Sequence, residues 1–300
     1  MIKVPPRTLA LGQHCEVWIH DIDTGEDRQL LVTRDLLLEA PNWSLDGEAL
    51  ILNGAGFIWR LPVDNPVLDK IEITGIPPVN NDHVLDPDGE HIFLSALDDW
   101  HLYRAPLSGG PAVRVSGKEG PPGLFHFLHG VSPDGRQLAF VGVEAEERDG
   151  GVVFVSAEIC TLQSDGTGFR QITSGGAPAD GPEYSPDGEW LYFNTEAFAS
   201  NAQIARMRPD GSDVTRLSFA DTVDWFPHLS PDGRTAVYLA YPPGTAGHPA
   251  DLTVDLMVVR NGDWTKAERA VTLFGGQGTI NVNSWSPDNH RFAYVKYPLD

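Results

Sequence analysis

The stretch Glu183–Phe193, EYSPDGEWLYF, decides the fold. Its S-P-D-G places a proline that presets φ beside a glycine that tolerates positive φ, the chemistry of a tight turn between two strands. Beyond the turn, Trp190, Tyr192 and Asn194 alternate with the residues between them at the period of a strand. The same phrase recurs as NWSLDGEALIL from Asn42, HVLDPDGEHIFL from His83 and GVSPDGRQLAFV from Gly130. It returns as HLSPDGRTAVYL from His228 and SWSPDNHRFAYV from Ser284. Anchored on Ser44, Asp86, Ser132, Ser185, Ser230 and Ser286, the six copies are spaced by 42, 46, 53, 45 and 56 residues. A four-stranded propeller blade repeats every ~40–45 residues, and loop insertions lengthen it.

A second hairpin follows the first in five copies, with third strands such as FIWRLPV and WHLYRAPL and fourth strands such as KIEITG and AVRVSG. Helix-period segments are almost absent. The last copy stops after two strands, but the chain opens with an orphan hairpin, EVWIHDI–DTGED–RQLLVT. Pairing the two termini completes a sixth blade and removes the open sheet edges that an unclosed array would leave. The expectation is an all-β, six-bladed propeller of four-stranded antiparallel blades, one domain over residues 1–300.

The repeated SPDG hairpins resemble the six-bladed propeller of the TolB family over nearly all of the chain. Exported members of that family carry a further N-terminal domain, and this sequence is more similar to the shorter, bare-propeller members. A more distant resemblance is to oligogalacturonate lyases, TolB-like propellers that hold a divalent metal with His and Gln side chains at the channel mouth.

Composition narrows the partners. Acidic residues outnumber basic ones 42 to 21, a net charge of −21. Such a field repels phosphate, which argues against nucleic acid and anionic membranes as partners. Only Cys15 and Cys160 are present, so no disulfide framework is expected. The N-terminus has no apolar core of a signal peptide, and the expected location is cytoplasmic. No G-x-S-x-G elbow, P-loop or dinucleotide fingerprint occurs.

The crossovers between blades, on the face opposite the SPDG turns, are the expected place for chemistry. They carry Glu39 and Asn42, then Asn80, Asn81, Asp82 and His83, then His126 and His129. Asp180 and Glu183, Asp224, Trp225 and His228, and finally Gln277, Asn281 and Asn283 follow. His83 and His129 share an offset three residues before their anchors, and His228 lies two before its own. In a rotational repeat, shared register aims side chains at a shared axis. His83, His129 and His228 with Gln277 would suit Mn, Zn, Fe or Ni, the ligand types that the lyase resemblance also implies; the alternative is that each imidazole bonds its own neighbours. Asp82–His83 and Asp224–His228 are the candidate acid–base pairs, with His129 a further catalytic candidate. Glu39, Asn42, Asn81, Asp180, Glu183, Trp225, His248, Asn281 and Asn283 are expected to bind substrate. The Pro- and Gly-rich loop from Ala240 to Leu252 would bring His248 over the mouth, while VEAEERDGG from Val143 reads as a solvated acidic loop.

The crossovers are polar, which favours an enzyme over a docking module. The expectation is a lyase, isomerase or hydrolase, metal-assisted or not, acting on a small polar molecule of carbohydrate type. The alternative is a TolB-like propeller that binds a protein or small ligand without turnover.

Overall fold

The computed structural model describes residues 4–148 and 151–300. Its strands form six blades around one axis, joined in sequence order. Blade one holds Glu39–Trp43, Ala49–Gly54, Phe57–Pro62 and Asp69–Ile71. Blade two holds Val79–Leu85, His91–Ala96, Leu102–Pro106 and Val113–Arg114, and blade three Phe125–Val131, Gln137–Arg148, Gly151–Gln163 and Arg170–Gln171. Blade four holds Ala179–Tyr184, Leu191–Thr195, Gln203–Met207 and Thr215–Arg216, and blade five Val223–Leu229, Thr235–Tyr241, Ala250–Arg260 and Glu268–Gly276. Blade six joins the termini: Cys15–Asp21 pairs antiparallel with both Asp27–Thr33 and Arg291–Lys296. Among the described residues no helix is long and apolar enough to cross a membrane.

The innermost segment of blade six departs from the expected regular strand. Only a bridge between Trp285 and Phe292 and isolated bonds such as Ala293 N–H to Ser284 O tie it to its neighbour. The cause is local. Asn281 accepts from Gly278 N–H at 2.7 Å and Asn283 from Trp285 N–H at 3.0 Å, so side chains take the donors a ladder would use.

The repeated phrase explains how the ring holds together. In each S-x-D-G turn the serine hydroxyl donates to the aspartate two residues on, at 2.6 Å for Ser44–Asp46 and 2.7 Å for Ser230–Asp232. The turn glycine then sits against the proline of the preceding blade: Gly47 beside Pro287, Gly188 beside Pro133 and Gly233 beside Pro186. Apolar faces of adjacent blades interleave between these contacts, with Phe93, Phe140, Phe193 and Phe292 almost wholly buried. Large aromatic side chains of this kind carry most of the burial energy between sheets.

Candidate active site at the channel mouth

Five inner strands slip register within their first residues, between Glu39/Asn42, Val79/His83, Leu128/Gly130, Asp180/Glu183 and Trp225/His228. Ala40, Gly181 and Phe226 in three of these bulges have φ of 52°, 61° and 54°. A bulge leaves residues unpaired and re-aims their side chains, and such irregularities cluster beside functional sites. Here they turn Glu39, Asp82, His129 and Asp180 into a cavity of about 390 Å³ at the mouth.

His129 is the unpaired residue of its bulge and the centre of the floor. Its Nε2 lies 3.3 Å from Asp180 Oδ1 and 3.8 Å from Asp82 Oδ1, while Nδ1 faces the Asn281 carbonyl at 3.2 Å. The ring stacks on Phe226 with centroids 5.6 Å apart. Burial alone would depress the imidazole, but the charge of Asp82 and the hydrogen bond and charge of Asp180 outweigh it and lift His129 to about 9. Burial, helped by the charge of Asp180, raises Asp82 to about 6 in spite of the imidazolium. Asp180 moves the other way: burial is overcome by its bond to His129, that ring's charge and the Gly181 N–H, leaving it below the usual carboxylate range. The floor thus carries one imidazolium, one firm carboxylate and one carboxyl poised near neutrality.

A second polar group stands across the cavity. Glu39 accepts from Asn53 Nδ2 at 3.1 Å, Asn81 Nδ2 at 3.4 Å and Arg7 Nη1 at 3.3 Å. Burial raises its carboxyl despite the guanidinium. Arg7 reaches in from the N-terminal segment, donating to the Gln277 carbonyl at 2.6 Å and to Asp251 at 3.1 Å, with its guanidinium 4.4 Å from the Tyr297 ring centroid. Two buried amide atoms at this site, Asn53 Oδ1 and Asn281 Nδ2, have no hydrogen-bond partner among the described residues. Trp100, Phe127 and Phe154 form an aromatic wall of the same cavity, while Phe226 backs the His129 ring. Trp100 stacks on Phe125 at 4.4 Å and 2°, which fixes its plane.

The structure places the expected residues in three groups. Glu39, Asn81, Asp82, His129, Asp180, His248, Gln277 and Asn281 meet at the cavity. The loop expected over the mouth does deliver His248: its Nδ1 bonds Gln277 Oε1, and its ring packs 4.3 Å from that of Trp225. Trp225 itself is buried behind His248 with its indole N–H unpartnered.

Asn42, Glu183, His228 and Asn283 lie farther along the inner strands and knit blades together. Glu183 accepts from His228 Nδ1 at 2.6 Å, Leu229 N–H at 2.9 Å and Asn283 Nδ2 at 2.8 Å. Asn42 Nδ2 donates to the Asn283 carbonyl at 2.6 Å. The third group stands apart: His83 is fully buried with neither ring nitrogen bonded, and burial depresses it to about 3. Asp224 accepts from Thr222 at 2.7 Å away from the cavity, and burial lifts it to about 6.

Three expectations are therefore corrected. The Asp82–His83 pair does not form, because Asp82 faces His129. Nor does Asp224–His228, because His228 is held by Glu183 and the Ile280 carbonyl. The ligand set His83, His129, His228 and Gln277 is not assembled, and among the described residues no group of three or more His, Cys, Asp or Glu is arranged to hold a metal ion. The side chains present do not fit the expected ion. The reason is the bulges: His129 lies inside one, while His83, at the same offset from its anchor, lies beyond another and pairs with Leu94. Equal offsets therefore point in different directions.

Arg7, Asn53, Trp100 and Phe226 belong to the cavity without having been singled out in the sequence. Phe127 sits in the crossover FHFLHG beside His126 and His129, where alternating aromatics were a legible signal. Asp149 and Gly150 of the segment from Val143 lie outside the described residues. Glu144, Glu146 and Arg148 are exposed as expected, but on a long strand rather than a loop, and its partner strand lays Phe154 edge-on against Phe125 and Phe127, at 6.3 and 6.5 Å.

Comparison with known proteins agrees with this architecture. No family model matches the chain. An uncharacterized protein of Agrobacterium fabrum is 37% identical over 284 residues, 93% of this chain and 91% of that protein. A solved structure from Agrobacterium tumefaciens, provisionally identified as TolB, superposes with a TM-score of 0.85 at 35% identity, covering 96% of this chain and 99% of that one. The chain belongs to the TolB-like six-bladed propellers. An oligogalacturonate lyase in complex with manganese shares the fold, with a TM-score of 0.56 at 15% identity over 90% of this chain and 74% of that one. As a TolB-like propeller, the chain places its bulges and its charged residues together at the mouth of the channel.

Proposed function

We propose that the mouth binds a small carbohydrate-type molecule and performs acid–base chemistry on it. The observation that carries this reading is the pairing of an aromatic wall with two orphaned amide atoms, Asn53 Oδ1 and Asn281 Nδ2, in one cavity. A buried polar atom without a partner costs about 1–3 kcal/mol, so a ligand that supplies the partner recovers that cost. A sugar hydroxyl both donates and accepts, which suits an acceptor and a donor together, while its C–H face suits Trp100 and Phe127. His129 would give a proton from Nε2 and Asp82, held near neutrality, would take one. Elimination, isomerisation or hydrolysis would each use such a pair, and the overall class is that of the lyase or hydrolase expected from the sequence. No metal is invoked. Two buried free thiols, Cys15 and Cys160, support a reducing, cytoplasmic setting.

The test is calorimetric titration with neutral mono- and disaccharides and uronates. Binding that Phe127→Ala and Asn281→Ala each weaken, with Asp82→Asn sparing binding but removing turnover, supports the reading. A protein that binds none of these sugars refutes it.

One observation favours the docking alternative. Val153, Phe154 and Val155, on the strand that carries Phe154 to the mouth, are 39%, 61% and 42% exposed, an apolar stretch that polar crossovers did not foretell. A rim that docks a protein segment would lose its partner in Val153→Asp and Val155→Asp, with sugar binding intact.

A further inference from the structure

On the face opposite the mouth, a cleft of about 420 Å³ opens between the turns of blades four and five. Ser185, Asp187, Trp190, Tyr192, Arg206 and Asp232 line it. The repeat itself supplies the comparison that explains it. Arg104 in blade two and Arg206 in blade four sit on third strands at matching register, opposite Phe93 and Tyr192. Arg104 donates from Nε to Asp86 at 2.8 Å and from Nη2 to Asp88 at 2.6 Å. Blade four has Ser185 where blade two has Asp86. Ser185 donates to Asp187 at 2.5 Å, and that same Asp187 oxygen also takes the Glu189 N–H at 3.0 Å.

Arg206 is thereby left without the carboxylate its counterpart enjoys. Among the described residues its buried Nε has no partner, and its side chain makes one bond, a 3.5 Å contact from Nη1 to the Tyr192 hydroxyl. Among the described residues no carboxylate oxygen lies within salt-bridge distance of it, in a protein of net charge −21. The guanidinium is nevertheless held in place, 4.1 Å from the Trp190 ring centroid, with that of Arg208 at 3.9 Å from the same ring. Arg208 is already paired with Glu189 and Asp213. Asp232 is occupied by its own turn, accepting from Ser230 at 2.7 Å and from the Arg234 N–H at 3.0 Å.

We propose that this cleft is a second ligand site, in which Arg206 takes the carboxylate of a small organic acid where blade two supplies an internal carboxylate from Asp86. A fixed guanidinium with an unused buried N–H binds a planar carboxylate more strongly than a mobile surface cation does. The Trp190 and Tyr192 rings beside it suit an acid with an apolar or aromatic body.

The probe is benzoate, titrated at low salt into the full-length protein and followed by the indole N–H signal of Trp190, assigned with Trp190→Phe. The site predicts a saturable shift of that signal. Arg206→Gln weakens binding about tenfold or more, the loss expected of a charged hydrogen-bond donor. Ser185→Asp does the same by a different route, since it restores the internal carboxylate that blade two already accommodates. Unchanged affinity in either folded variant, or a shift that never saturates, overturns the site. Inorganic phosphate that saturates the signal where benzoate does not overturns the carboxylate assignment.

Discussion

Replacing His129 with Gln should remove a pH-dependent share of the stability. The imidazole is buried between two carboxylates and lifted to about 9, against 6.5 for an ordinary imidazole. At about 1.4 kcal/mol per pKa unit, that gap corresponds to roughly 3 kcal/mol. Because the folded value is raised, the stabilisation is fully present below about 6.5 and is lost as pH rises through about 9. Asp82, raised to about 6, contributes a loss in a separate and lower window, between about 3.8 and 6. Urea denaturation of wild type and His129→Gln at pH 6 and pH 10 isolates the His129 share, since surface lysines and tyrosines titrate in both proteins and cancel. The difference between the two proteins should shrink by roughly 3 kcal/mol across that range. A difference that stays constant with pH would show that His129 is not an imidazolium held by Asp82 and Asp180, and the acid assigned to the site would be wrong.

Gly130→Ala would place a Cβ 2.6 Å from the Pro182 carbonyl of the next blade, so a loss of about 1–3 kcal/mol in chemical denaturation is expected. Glu183→Gln strips one of two acceptor oxygens from a buried group with three donors, and about 2–4 kcal/mol should be lost in the same assay. Arg7→Ala leaves the buried Glu39 carboxylate without its cation, at a cost of about 2 kcal/mol near pH 8. Burial already raises Glu39, so that deficit should narrow at pH 5, as the carboxyl protonates; a deficit that widens would contradict the pairing. Phe154→Ser should alter stability by less than about 0.5 kcal/mol, since the ring is largely solvent-exposed, yet weaken any ligand that rests on the aromatic wall.

The Arg104–Asp86 and Arg206–Ser185 comparison shows how a repeat reports on itself. Ser185 in place of an anchor aspartate leaves an open guanidinium where blade two has a closed ion pair, and only comparison with blade two reveals what is missing. The same logic governs the mouth. Glu39, Asp180 and His129 face the cavity, whereas Glu183 and His228, at the far edges of the bulges in blades four and five, are consumed in joining blades four, five and six.

Six turns of one composition, with strands of period two between them and an unpaired hairpin at each end, determine the closed ring from sequence alone, because turn chemistry and strand alternation act over a few residues. The same reading put Glu39, Asn81, Asp82, His129, Asp180, His248, Gln277 and Asn281 at the channel mouth, where they line one cavity. Which of them touch was decided by tertiary structure. A bulge of one extra residue, as at His129, turns the side chains beyond it to the other face of the strand, whereas the two extra residues before His83 leave the faces as they were. Hence His129 meets Asp82 and Asp180, while His83, three residues before its own anchor just as His129 is, ends in the interior without a partner.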